Sequence, residues 1–395
     1  MKKCFLFVAA MYAATTIART ETEVTALQLN EEVAGEYVDV NTDQAILNDR
    51  KPLFEKPADD SKKDFNYWAS TVGSRLKVTG YAQGGYTATF NEGSTNKNTF
   101  DMKRVILMVG VDITPKFYAF FMHDFKSGVM QEYYMEYRHC KAFNVRFGQS
   151  KREFTIENPL SPTILESVAP MTQGVLWLNG SDPLQSNGSG RDAGLMIYGK
   201  VGKFGYFAEV LNGAPVNTAD RNNQKDIVLK LEYYPVPNFK LSISGVKGYG
   251  YAEKDSPYNE SVHKDDTYRK NRYAAGFDWK SKKTGTDYDA NRCASIRSEV
   301  LGGKDGKVSS FGAYVSSAVP VYKRLDVVGI LDYFNYNTDR GLKKTNLTGG
   351  VQYWMAKKCR LQLQYTYSFY SKSMQDTENL SGNYSQILAQ AQVAF

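Results

Sequence analysis

The stretch that decides the fold is Leu76-Lys77-Val78-Thr79-Gly80-Tyr81-Ala82-Gln83-Gly84-Gly85-Tyr86-Thr87-Ala88-Thr89-Phe90. Leu76, Val78, Gly80, Ala82, Gly84, Tyr86, Ala88 and Phe90 share one face of an extended chain. Lys77, Thr79, Tyr81, Gln83, Thr87 and Thr89 share the other. Successive side chains of a strand point to opposite faces, so one face here meets apolar surroundings and the other meets water or a polar interior. Fifteen residues of unbroken alternation exceed the roughly 5–6 of a typical strand. They match a tilted strand that crosses a bilayer and projects beyond it.

The same period recurs along the chain. Val105, Leu107, Val109, Val111 and Ile113 share a face; Phe143, Val145 and Phe147 flank Asn144 and Arg146; Ile227, Leu229, Leu231 and Tyr233 flank Lys230 and Glu232. Leu361, Leu363, Tyr365, Tyr367 and Phe369 alternate with Arg360, Gln362, Gln364 and Thr366, and the chain ends on Ile387, Ala389, Ala391, Val393 and Phe395 against Gln386, Gln390 and Gln392. Tyr and Phe mark the ends of these apolar faces, as the aromatic girdles of a barrel in lipid require. Closure into a barrel pairs every backbone group, which the bilayer core demands.

Candidate strands fall at 76–90, 100–114, 116–126, 131–140, 142–149, 190–200, 203–212, 225–235, 238–249, 271–280, 292–302, 308–319, 323–336, 345–356, 359–371 and 384–395. That set predicts an all-β fold: a transmembrane, antiparallel, up-and-down β-barrel of sixteen strands over residues 64–395. The connections provide an independent check. Thr114-Pro115, Cys140-Lys141, Lys200-Val201-Gly202, Pro235-Val236-Pro237-Asn238, Pro320 to Lys323 and Ala356-Lys357-Lys358 occupy alternate slots as short turns, and longer polar stretches occupy the others. One place misfits: 281–291 is long where a turn belongs, and 303–307 is short where a loop belongs.

Composition agrees. The 395 residues contain 28 Tyr, 21 Phe and 32 Gly against 12 Pro, a mixture suited to strands and crowded barrel walls. Beyond the first eighteen residues there is no apolar run near the roughly 18 residues a transmembrane helix needs. Met1-Lys2-Lys3, the apolar Phe5 to Tyr12 and the small residues of Thr16-Ile17-Ala18 read as a secretory signal over 1–18. Residues 19–63 are acidic and broken by Lys51-Pro52 and Lys56-Pro57, which predicts a periplasmic N-terminal extension, either a linker or a tether.

Net charge is +7, with the acidic excess confined to the N-terminal extension, so the body is basic. A basic body suits nucleic acid, an anionic surface or an anion-conducting lumen. Export and the lack of any RNP-like or zinc-finger pattern argue against nucleic acid. Cys140, Cys293 and Cys359 are too few and too scattered for a disulfide framework or a zinc site. His123, His139 and His263 form no metal or nucleophile motif, so neither catalysis nor a cofactor is expected, and His123-Asp124 reads as a strand-end pair.

The longest connection, 150–189, follows the fifth strand and carries Ile164, Leu165, Val168, Leu176, Trp177 and Leu178 among four prolines and basic residues. A solvated loop has little use for so many apolar side chains. A loop folded into the lumen packs them on the inner wall and narrows the channel; the alternative is a compact loop covering the mouth from outside. Arg104, Arg138, Arg146, Lys151, Arg152 and Arg191 lie on or beside this constriction. Arginine stays charged and forks onto phosphate or carboxylate, and rings of Arg and Lys in a pore favour anions. The acids Glu132, Glu136, Asp226, Glu232, Glu299 and Asp332 on the same polar faces can pair with these bases and cancel the field.

Several stretches carry a resemblance: Gly80-Tyr81-Ala82-Gln83; Phe100-Asp101-Met102-Lys103-Arg104-Val105; Arg146-Phe147-Gly148-Gln149-Ser150-Lys151-Arg152-Glu153-Phe154; Gly190-Arg191-Asp192-Ala193-Gly194; and Ser298-Glu299-Val300-Leu301-Gly302-Gly303 followed by Gly312-Ala313-Tyr314-Val315. In this series the chain resembles the phosphate-selective porin O/P family of Gram-negative outer membranes. The resemblance implies a sixteen-stranded barrel, a homotrimer, a constricting third loop and passive solute flux. It also implies an arginine and lysine ladder, matched here by Arg104, Arg146, Lys151, Arg152 and Arg191. Two readings remain: a porin for small hydrophilic solutes, with a preference for anions such as phosphate, seated among outer-membrane lipid and lipopolysaccharide; or a structural or adhesion barrel with a plugged lumen and partner-binding loops.

Overall fold

The computed structural model describes residue 73 and residues 75–395, apart from 93–94, 170, 181–183, 186–188, 282–292 and 357. The predicted signal segment and the acidic extension lie outside the described residues. The barrel strands are β1 (Leu76–Asn91), β2 (Lys97–Asp112), β3 (Phe117–Asp124), β4 (Val129–Cys140), β5 (Phe143–Lys151), β6 (Arg191–Val201), β7 (Phe204–Leu211) and β8 (Asp226–Val236). They continue with β9 (Phe239–Tyr251), β10 (Thr267–Lys280), β11 (Ser295–Asp305), β12 (Val308–Tyr322), β13 (Leu325–Asn335), β14 (Lys343–Ala356), β15 (Cys359–Tyr370) and β16 (Tyr384–Ala394). Two short helices sit in loops, α1 (Gln173–Asn179) and α2 (Lys372–Glu378).

Each strand pairs antiparallel with its neighbours in sequence, and β1 pairs with β16 to close the ring. Closure sets Tyr81 beside Ala394 and Gly85 beside Gln390. All sixteen expected strands form, so the all-β barrel reading holds, and most ends agree within a few residues.

The odd slot has a structural reason. β11 runs on to Asp305 and β12 starts at Val308, so the loop-end connection between them shrinks to Gly306-Lys307; residues 282–291 of the long turn-end stretch lie outside the described residues. Gly306 takes a positive φ of 64°, which a tight hairpin requires and glycine supplies without strain.

The outer face is apolar. Leu229, Leu231, Ile243 and Leu363 each keep more than half of their surface exposed, an arrangement that water would penalise and that a bilayer rewards. Exposed aromatics ring this belt at both ends. Phe117, Phe143, Phe204, Tyr322 and Phe395 stand at the short-turn end; Phe90, Phe100, Phe125, Phe311 and Phe369 stand at the loop end. This outer surface therefore faces lipid, with its aromatic rings at the two interfaces. The inner faces carry the polar and charged side chains.

Candidate functional site

The connection between β5 and β6, residues 152–190, folds into the barrel. Its apolar side chains explain why. Phe154, Val175 and Leu178 are fully buried in one cluster with the inner-wall residues Leu211, Val228, Val246, Ala274, Leu301, Tyr314 and Phe334. Helix α1 lies against β11, β12 and β13. A Cβ on Gly174 would come within 2.8 Å of the Phe334 ring, so the helix sits as close to the wall as a glycine allows.

Polar anchors then fix the loop around much of the circumference. The Glu166 carboxylate accepts hydrogen bonds from Arg297 Nη1 at 3.0 Å, Ser295 Oγ at 3.0 Å and Ser316 Oγ at 3.1 Å. Its backbone carbonyl accepts from Gln362 Nε2 at 3.1 Å and Gln364 Nε2 at 2.6 Å. Arg360 Nη2 donates to Leu165 O at 2.8 Å, and Lys230 Nζ reaches Glu153 at 2.9 Å. Gln173 N donates to Asp332 Oδ2 at 2.8 Å, and Ile156 N to Glu299 Oε1 at 2.7 Å. Buried cations such as Lys230, Arg297 and Arg360 are tolerable only when paired or hydrogen-bonded in this way.

Glu157 is the exception in charge. It accepts from Thr172 Oγ1 at 2.5 Å, yet burial pushes its carboxyl up to about 7. The seated loop therefore favours the protonated acid, and ionising Glu157 opposes the seat. Glu166 behaves oppositely. Burial works against its charge, but Arg297 and the hydrogen bonds it accepts hold its carboxyl below the ordinary range.

The loop covers the inner wall unevenly. Across β8 to β16, Lys230, Lys270, Arg297, Phe334, Arg360 and Gln364 are buried. On β2 to β5, Lys103, Arg104, Met108, Tyr118, Phe120 and Arg146 keep partial exposure. The partly exposed inner side chains of β2 to β5 thus form a largely basic and aromatic arc.

The six basic residues singled out in the sequence all lie on this side, in different states. Arg138 Nε and Arg146 Nε converge on the two oxygens of Glu136 at 2.5 and 2.8 Å, and Arg138 Nη1 also lies 3.5 Å from Asp112. Their guanidinium groups stack on Tyr118 and Tyr134, with 3.9 and 4.2 Å to the ring centroids. Arg191 Nε donates to Glu132 at 3.0 Å, and Arg152 pairs with Asp192 at 3.3 Å. Lys151 Nζ donates to the loop carbonyls of Pro159 and Leu160. Arg104 Nη1 donates to the neutral amide of Gln83 at 3.0 Å. The acids expected as competitors, Glu132 and Glu136, do pair with the bases.

Sequence reasoning missed Lys103. Strict alternation sends it to lipid, but the β1–β2 register shifts between Gln83 and Gly84. The extra residue lets Lys103 join Arg104 on the inner side, where Lys103 Nζ approaches Val168 O at 3.5 Å. Nothing local in the sequence marks a bulge. It also passed over Arg297, Arg272 and Lys270, which alternation does place inward. Lys270 pairs with Asp226 at 2.9 Å and Arg272 with Asp305 at 2.8 Å. His123 stacks edge-on with Phe125, 4.8 Å between ring centroids, while Asp124 accepts from Val105 N and Ser127 Oγ, so the adjacent pair acts separately.

No protein-family model matches the chain, and no curated protein matches it. Solved structures do. The anion-selective porin from Comamonas acidovorans aligns at 12% identity with a TM-score of 0.58, covering 81% of this chain and 99% of that one. OprB of Pseudomonas putida aligns at 10% identity with a TM-score of 0.59, covering 83% and 96%. The outer-membrane channel DcaP of Acinetobacter baumannii aligns at 12% identity with a TM-score of 0.53, covering 80% and 97%. The fold of this chain is therefore that of outer-membrane porins.

Proposed function

We propose that this chain is an outer-membrane porin that lets small hydrophilic solutes diffuse passively, with a modest preference for anions such as phosphate, and that it works as a homotrimer. The reading includes an export signal over 1–18 and a periplasmic extension over 19–63. The observation that carries it is the uneven seat of the third loop: Lys230, Arg297 and Arg360 are buried on one side of the lumen while Lys103, Arg104 and Arg146 keep partial exposure on the other. The preference is modest because Arg138, Arg146 and Arg191 share the arc with Glu136 and Glu132. A pore that exposes more cations than acids lowers the barrier for anions.

Planar-bilayer recordings in a salt gradient test this. Open steps with a reversal potential of anionic sign are expected, moving toward zero in Arg104→Ala, Arg146→Ala and Lys151→Ala. An unchanged reversal potential in all three variants removes the arc from selectivity.

A second reading is a plugged structural or adhesion barrel, favoured by the number of wall strands to which the third loop is bonded. It expects no conductance steps from well-folded protein.

A further inference from the structure

The loop end of the barrel carries an outward-facing row of cations that the lumen does not use. Lys247 on β9 pairs with Asn271 on β10, and Asn271 pairs with Lys304 on β11. The neighbours of these residues in the chain, Val246, Lys270, Arg272 and Asp305, are buried on the inner side, so the row points to the outside, where all three are exposed. Arg269, two residues along β10, shares that face, with its guanidinium 6.0 Å from the Tyr249 ring centroid.

The row stands at a boundary. The next outward positions toward the short-turn end are Gly245, Tyr273 and Gly302, then Ile243, Ala275 and Val300. Ile243, Tyr273 and Val300 are exposed parts of the apolar belt. Charge therefore sits directly above lipid-facing carbon.

Among the described residues, no acid forms an ion pair with Lys247, Arg269 or Lys304. The nearby acids Asp226 and Asp305 face inward on Lys270 and Arg272. Some other cations at this end are matched: Lys126 by Asp101 at 3.4 Å, Arg221 by Glu253 at 2.9 Å and Lys225 by Asp220. Lys247 and Lys304 flank Asn271 from the two neighbouring strands, and Arg269 lies one diagonal step away; like charges at diagonal distances of about 7–8 Å repel, and an anion seated between them reverses the sign. Lysine supplies compact positive charge and arginine a fork that fits phosphate.

We propose that Lys247, Arg269 and Lys304, with the Asn271 amide between them, bind the phosphates of a phosphorylated glycolipid, the lipopolysaccharide of the outer leaflet. Its acyl chains lie on Ile243, Tyr273, Ala275 and Val300. An anion-over-hydrocarbon surface is what an anionic amphiphile requires, whereas a soluble phosphate would have no use for the apolar floor. The proposal rests on the outer-membrane reading, but its test is independent of conductance.

Purified barrel in detergent micelles is titrated with bisphosphorylated hexaacyl lipid A and with the same lipid after removal of its phosphates, and bound lipid is counted by native mass spectrometry. Each cation near such a headgroup contributes about fivefold in affinity, so Lys247→Gln/Arg269→Gln/Lys304→Gln is expected to weaken phosphorylated-lipid binding by about a hundredfold. Lys247→Arg/Lys304→Arg is expected to retain binding and Lys126→Gln to leave it unchanged. Heat-modified gel migration confirms that each variant is folded. Equal binding by wild type and the triple variant overturns the proposal, as does equal wild-type binding of the dephosphorylated lipid. Inorganic phosphate binding to the row as tightly as the lipid overturns the lipid assignment. Loss of lipid binding in the triple variant with normal conductance steps upholds the row, while absent conductance with intact lipid binding counts against the porin reading alone.

Discussion

Glu136 accepts hydrogen bonds from both Arg138 and Arg146, so one carboxylate holds two of the guanidinium groups on the uncovered arc. Its own side chain is fully buried. Replacing it with the isosteric glutamine keeps an acceptor but removes the charge. Breaking a buried pair by neutralising one partner costs up to roughly 3–5 kcal/mol, and here it leaves two cations beside one amide. Glu136→Gln is expected to lower the temperature of the heat-induced gel shift and to move the reversal potential further in the anionic direction. A variant with wild-type reversal potential would mean that solutes do not sense this pair. Arg104 presents the contrast: it donates to a neutral amide, so its field is less compensated at contact range.

The third loop is the element on which flux depends. Its seat combines the Phe154, Val175 and Leu178 cluster with anchors at Glu153, Glu166 and Gln173. Glu157 adds a pH dependence. Its carboxyl titrates near 7 when seated, against an ordinary value of 4.5. The seat is therefore most stable, as far as this group is concerned, below about pH 4.5. It weakens as pH rises through the interval from 4.5 to 7, and above that the full penalty persists. Single-channel recordings between pH 5 and pH 8 are expected to show larger or noisier steps at the alkaline end in wild type. Glu157→Gln, which is neutral throughout, should flatten the trend; a variant whose profile still matches wild type would assign it to another group.

At the scale of the whole molecule, the barrel depends on opposite solvents on its two faces. Leu363 lies mid-strand on the lipid side of β15 and keeps about half of its surface exposed, at 52%, while its neighbours Gln362 and Gln364 are buried within. A charge at that depth costs roughly 2–4 kcal/mol in a bilayer. Leu363→Arg is expected to lower the unfolding free energy read from urea titrations of vesicle-inserted protein by that amount. Gln364→Arg, on the inner face, should do so by a different route, through its lost bonds to Glu166 and Val168. If Leu363→Arg left the titration unmoved, the lipid assignment of that face would fail.

The sequence alone determined the barrel and its strand number, because period-two alternation is a local property imposed by the solvent on each face; the apolar side chains of the third loop pointed inward but left a cap over the mouth open. It also placed Arg104, Arg138, Arg146 and Arg191 inward for the same reason. Three things were decided only by tertiary structure. The bulge that turns Lys103 inward depends on the register between β1 and β2, which is set by two strands together. The partners of each base, such as Glu136 for Arg138 and Arg146, depend on which polar faces meet across strands and loop. The uneven seat of the loop, burying Lys230, Arg297 and Arg360 but leaving Lys103, Arg104 and Arg146 partly exposed, follows from packing Phe154 and α1 against residues such as Phe334 that lie far along the chain. Long-range packing of this kind has no period to read in the sequence, since each contact is settled by shape and charge once the barrel has closed.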